Sequence, residues 1–160
     1  MSKLRTLTVP DFLWLNQELT KSRQKYSFAT LEEGVFYQYS YGSSKNVVEQ
    51  AARLLTGFAK LNPFEKGSSA TALAGTIAFL KMNELDLKLE PTSAKAWAES
   101  IWSNPSTAAS AISGLVEEFH LHTHHGTAPS REILGEVLAT YSDALEALIQ
   151  SEPERPLAVR

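Results

Sequence analysis

Residues Lys60 to Leu73 read KLNPFEKGSSATAL, and the way this stretch is parsed decides the fold. Upstream, Val47, Ala51, Leu54 and Phe58 share one helical stripe, with Val48, Ala52, Leu55 and Ala59 beside it. Asn62-Pro63 ends that helix, because a residue before proline is pushed out of the helical region. Gly67-Ser68-Ser69 then turns the chain into a second helix that runs to about Asn83. Ala70, Ala72, Ala74, Gly75 and Ala78 keep its surface small, while Leu73, Ile77 and Leu80 form an apolar stripe. Small side chains let neighbouring helices approach closely, so this element is expected at the centre of the molecule.

Working outward, Thr8 before Val9-Pro10-Asp11 predicts a helix start: a capping hydroxyl, proline in the first turn and an acid facing the dipole. Phe12, Leu15 and Leu19 follow on one face. Thr30-Leu31-Glu32-Glu33 has the capping-box pattern and opens a second, shorter helix. Tyr37, Tyr39 and Tyr41 alternate with polar residues ahead of Gly42-Ser43-Ser44, which reads as a strand-like flap, with a helix end as the alternative. Ser93 caps a helix carrying Trp97, Ile101 and Trp102, and Pro105 opens one carrying Ala108, Ile112, Leu115, Val116 and Phe119. Ser130 begins a long final helix with Leu134, Leu138, Tyr141, Leu145 and Leu148 as its stripe. The pattern predicts a mainly all-α bundle with a short β-hairpin flap, as a single domain over residues 1–150. Its core covers about 6–120, an added helix covers about 130–150, and 151–160 form a flexible tail.

With 160 residues, 43% hydrophobic and 21% charged, the chain can bury a core unaided. A net charge of -3 gives no field that would draw nucleic acid or anionic lipid. Without cysteine there are no disulfides or thiolate metal sites. No run approaches the ~20 apolar residues of a membrane span, and MSKLRTLTVPDFLWLNQEL lacks an export signal. A cytoplasmic protein with neither membrane nor nucleic acid as a partner is expected.

The apolar helix, the NPFxxG turn and the small-residue helix ending FLKMNEL together resemble the Fic/Doc (Fido) family. That family carries HPFx(D/E)GNxRT between two central helices. The resemblance is strongest from Val47 to Leu87, and LTVPDFLWLNQEL is similar to the first helix of the Doc branch. It implies a transferase that moves AMP, or a phosphate in the Doc branch, onto a protein hydroxyl. In that scheme the histidine is the base, the acid holds magnesium, glycine and asparagine shape an anion-holding turn, and the arginine clamps phosphate.

Here Asn62 stands at the base position, Lys66 at the metal-ligand position, Ser68 at the asparagine and Ala70 at the arginine. Pro63, Phe64, Gly67 and Thr71 are kept. An amide accepts no proton near neutral pH, which removes a contribution of typically ~10²–10⁴ in rate. Lysine offers no oxygen to a cation, and alanine cannot imitate a bidentate guanidinium. No catalytic residue is therefore assigned, and neither magnesium nor ATP is expected as a cofactor. If only the chemistry was lost, restoring Asn62→His, Lys66→Asp, Ser68→Asn and Ala70→Arg would leave the fold intact.

Other groups carry two readings each. Lys66, Gly67, Ser68 and Ser69 at a helix start form an anion- or nucleotide-binding candidate, or simply a capped turn. His120, His122 and His124 are candidate ligands for zinc, or histidines favoured near a helix C-terminus. Tyr37, Tyr39 and Tyr41 either dock a partner segment, as the family's flap does, or pack into the core. Ser142 to Ala147 approaches the family's inhibitory (S/T)xxxE(G/N) signature and is broken at Ala147. The expectation is a catalytically inactive Fic/Doc-like protein that binds a protein or an anion as a regulatory module. Its context would be toxin–antitoxin regulation and its partner another protein, or its own copy. The alternative is a divergent nucleotidyl- or phosphotransferase working with non-standard residues.

Overall fold

A computed structural model describes residues 4–39, 46–120 and 130–152. The chain is mainly helical: α1 (Val9–Thr20), α2 (Phe28–Phe36), α3 (Val47–Leu61), α4 (Ser68–Met82), α5 (Ala94–Ser103), α6 (Ala108–Ser113), α7 (Ser130–Thr140) and α8 (Ser142–Ser151). β1 (Leu85–Leu87) and β2 (Val116–Glu118) form a two-stranded antiparallel ribbon with Asp86 opposite Glu117. Among the described residues no helix is long and apolar enough to cross a membrane.

α4 is the hub, packed by α1, α3, α7, α8 and β1. All but two of its residues, Ser69 and Lys81, are buried, so no solvent face remains. The small residues explain this position. A Cβ on Gly75 would lie 2.5 Å from Cε1 of Phe12, so α1 crosses where only glycine gives clearance. Phe12 in turn stacks on Phe58 of α3, with ring centroids 4.9 Å apart. One aromatic side chain thus ties α1, α3 and α4 together.

Local chemistry sets the helix ends. Thr8 and Asp11 form a reciprocal capping box on α1. The carboxylate of Asp11 also accepts from Nε of Arg131 at 3.0 Å, and that guanidinium lies 5.1 Å from the centre of the Trp14 ring, which fastens α7 to α1. α2 starts at Phe28, earlier than the Thr30 motif suggests, because Ser27 takes the capping position and accepts from Thr30 N.

Three further expectations are corrected. Phe36 to Tyr39 is the end of α2 and a turn, with no strand among its described residues: Gln38 is buried, Tyr37 packs half-buried against the core and Tyr39 is exposed. The Gln38 amide accepts from Leu7 N at 2.7 Å and donates to Leu7 O at 2.6 Å, pairing with the backbone as a strand would. Leu115, Val116 and Phe119 do not continue α6; the chain leaves it at Gly114, and Val116–Glu118 pairs with the distant β1. The final helix is two helices broken at Tyr141, whose hydroxyl donates to Leu89 O at 2.8 Å. Burial pushes that hydroxyl above its ordinary titration range. Ser151 closes α8, and residues 153–160 of the expected tail lie outside the described residues.

Candidate functional site

The turn between α3 and α4 is built from backbone geometry. Asn62 ends α3 in the left-handed conformation, at φ 50 and ψ 60, with its N–H still donating to Phe58 O. Asparagine tolerates that conformation better than most residues, which gives it a structural reason at this position. The chain then pairs with the segment before α2. Ser27 N donates to Pro63 O at 3.0 Å, Glu65 N donates to Lys25 O at 2.9 Å, and Tyr26 opposes Phe64. Phe64 is buried beneath this pairing and touches Phe58.

Several polar groups around the turn are bonded within the chain. Asn16 of α1 donates from Nδ2 to Lys66 O at 2.8 Å and to Thr71 Oγ1 at 3.2 Å. The Ser68 hydroxyl folds back, accepting from Phe64 N at 2.9 Å and donating to Phe64 O at 3.2 Å. Gly67 has φ +84, and a Cβ there would lie 2.8 Å from Thr20 Cγ2. Its N–H points outward from the start of α4 and donates to Oε2 of Glu152 at 2.8 Å. A carboxylate at a helix N-terminus meets free N–H groups and the positive end of the dipole. The anion at this helix start is therefore supplied by the protein's own last described residue.

The sequence-derived candidates separate under this geometry. Lys66 is exposed; Gly67 and Ser68 are buried. Ser69 is half-buried and lines a different opening, a cleft of about 560 Å³ shared with Thr56, Lys60, Trp102 and Pro105. These residues do not converge on one cavity. Ala70 is fully buried, and so is Ser68. An arginine at Ala70 and an asparagine at Ser68 would each have to be accommodated by repacking of their surroundings.

Tyr37 is half-buried, its ring lying where a Cβ on Gly57 would come within 2.7 Å, whereas Tyr39 is exposed; Tyr41 lies outside the described residues. His120 stands in solvent with Nδ1 3.7 Å from Glu84, and His122 and His124 lie outside the described residues. Among the described residues no group of His, Asp or Glu side chains is placed to hold a metal ion. Sequence reasoning missed Asn16 and Glu152, the two side chains that close the turn. Asn16 could have been noticed as an amide on the apolar face between Leu15 and Leu19, but no local signal marks Glu152.

No family model matches the chain, and neither a curated protein nor a solved structure does.

Proposed function

We propose that this chain is a catalytically inactive Fic/Doc-like protein that works in the cytoplasm as a protein-binding, regulatory module. The observation that carries the reading is the closed turn. Where a transferase of that family would present base, metal ligand and phosphate clamp, this chain has Asn62 as a helix cap, Lys66 in solvent and Ala70 in the core. The amide that would receive a phosphate is held by Glu152.

Thermal denaturation with ATP, ADP or CDP-choline, each with magnesium, tests this directly. The midpoint is expected to stay where it is in magnesium alone. A nucleotide-specific rise, followed by transfer of label from that nucleotide to a protein, would establish the divergent nucleotidyl- or phosphotransferase instead.

An anion-binding role has one specific observation in its favour: the Gly67 amide already takes a carboxylate, with Lys66 exposed next to it in the chain. On that reading inorganic phosphate stabilises Glu152→Ala more than the unaltered protein.

A further inference from the structure

Beside the turn, α1 and the residues that follow it border a cleft of about 270 Å³, whose lining includes Leu13, Asn16, Arg23, Tyr26 and Phe64. That volume lies near the lower end of the ~300–1,000 Å³ of small-molecule pockets. Asn16 brings to it a polar atom without a partner. The residue is 1% exposed, and its Nδ2 group is committed to Lys66 O and Thr71 Oγ1. A carbonyl only accepts, so the bond to Lys66 O fixes which end of the amide is nitrogen. Oδ1, at the other end, receives no hydrogen bond among the described residues, yet it is not sealed from solvent, and the cleft is the opening that Asn16 lines. An oxygen so placed calls for a donor from outside the chain.

The rest of the lining selects what carries that donor. Tyr26 is 41% exposed and its ring sits 6.0 Å from that of Phe64, at 51° to it, with half-buried Leu13 adding apolar surface. A planar ring packs against such a wall offset or edge-on. Arg23 is the single charged residue of the lining, exposed and without an ion pair or hydrogen bond among the described residues. The carboxylates of the vicinity are placed elsewhere. Glu18 and Glu146 line the neighbouring cleft beside Trp14, together with Lys21, and Glu152 is bound to Gly67 N–H. Exposed Glu65 stands next to Lys66 in the chain and opposite Lys25 in the backbone pairing, both exposed cations. The guanidinium at the cleft is thus left to an anion from solution, which a planar fork binds through two parallel hydrogen bonds.

We infer that this cleft binds a small aromatic acid, its ring against Tyr26, a hydroxyl or amino group donating to Asn16 Oδ1 and its carboxylate on Arg23. The inference does not rest on the Fic/Doc-like reading.

The test is calorimetric titration of the full chain with para-hydroxybenzoate and para-hydroxyphenylacetate. Each is paired with the acid lacking the hydroxyl and with its own methyl ester. Loss of the hydroxyl is expected to weaken binding at least about tenfold, because a site that hydrogen-bonds a donor rejects the analogue without it. This reads the role of Asn16 without altering a side chain that also holds the turn. Arg23→Gln is expected to weaken the acids at least about tenfold and to leave the esters where they were. Tyr26→Ala is expected to cost at least about threefold for acids and esters alike. Lys25→Gln and Lys66→Gln should stay within about twofold of the parent, as screened charges outside the lining do. Circular dichroism of these variants is expected to match the parent, since the altered side chains are exposed. The inference falls if neither acid binds with a Kd below about 1 mM. It falls equally if the hydroxyl makes no difference, or if Lys66→Gln weakens binding as much as Arg23→Gln, which would mark a diffuse attraction to basic surface. Its failure leaves the reading of the closed turn as it stands, and the nucleotide titration tests that reading separately.

Discussion

The turn between α3 and α4 and the outer face of α2 are joined by a single backbone pairing, Tyr26 against Phe64, and they treat the same kinds of residue in opposite ways. On the turn side Phe64 is 1% exposed, the Ser68 hydroxyl is bonded to the backbone and the amide of Gly67 holds a carboxylate. On the α2 side Phe28 and Phe36 keep about half of their surface in water, although Thr30 and Leu31 on the inner face are fully buried. Leaving a phenylalanine exposed forgoes roughly 1.5–3 kcal/mol of burial. The contrast shows that two phenylalanines on neighbouring segments meet opposite fates, one locked in the core and one left half in water.

The largest expected effect attacks the turn side. Ala70→Arg places an uncompensated charge where the structure is fully buried. Breaking the balance of a buried charge costs on the order of 3–5 kcal/mol, a large part of a small protein's total stability. Loss of the cooperative thermal transition is expected for the single variant and for the fourfold restoration alike. A restored variant that melts as the parent does, and gains affinity for ATP, would mean that the site is merely vacated and the two regions are less different than they look.

Next in size is a matched pair. Phe64→Ala should cost about 3–5 kcal/mol, the range for removing a buried phenylalanine, whereas Phe36→Ala should stay within about 0.5 kcal/mol. Urea midpoints at unchanged slope give both numbers. Equal losses would show that Phe36 is held in the fold as firmly as Phe64.

The same division explains what could be read in advance. Thr8 with Asp11, the stripe of α3 and the small residues of α4 act within a few positions of one another, and the structure agrees with each. The strand at Val116–Glu118 owes its form to β1, about thirty positions earlier, and helical spacing gave no hint of it. Tyr141 breaks the last helix in company with a bond to Leu89 O, and the tyrosine alternation misled because Gln38 supplies bonds that a strand would otherwise make. The turn was legible as a turn. That Asn16 and Glu152 close it was not, because they act over separations of 50 and 85 positions.

The smallest effect tests the closure itself. Glu152→Gln keeps an oxygen for Gly67 N–H and removes only the charge from the start of α4. A negative group at a helix N-terminus contributes about 0.3–1 kcal/mol when weakly screened, so the variant should melt slightly below the parent at low salt. Between about 0.01 and 1 M salt the screening length falls from about 30 to about 3 Å, and the difference should fade with it. A difference that persists undiminished in high salt would assign the contact to packing at the end of α8. No difference at either salt would leave the amide energetically uncommitted and open to an outside anion.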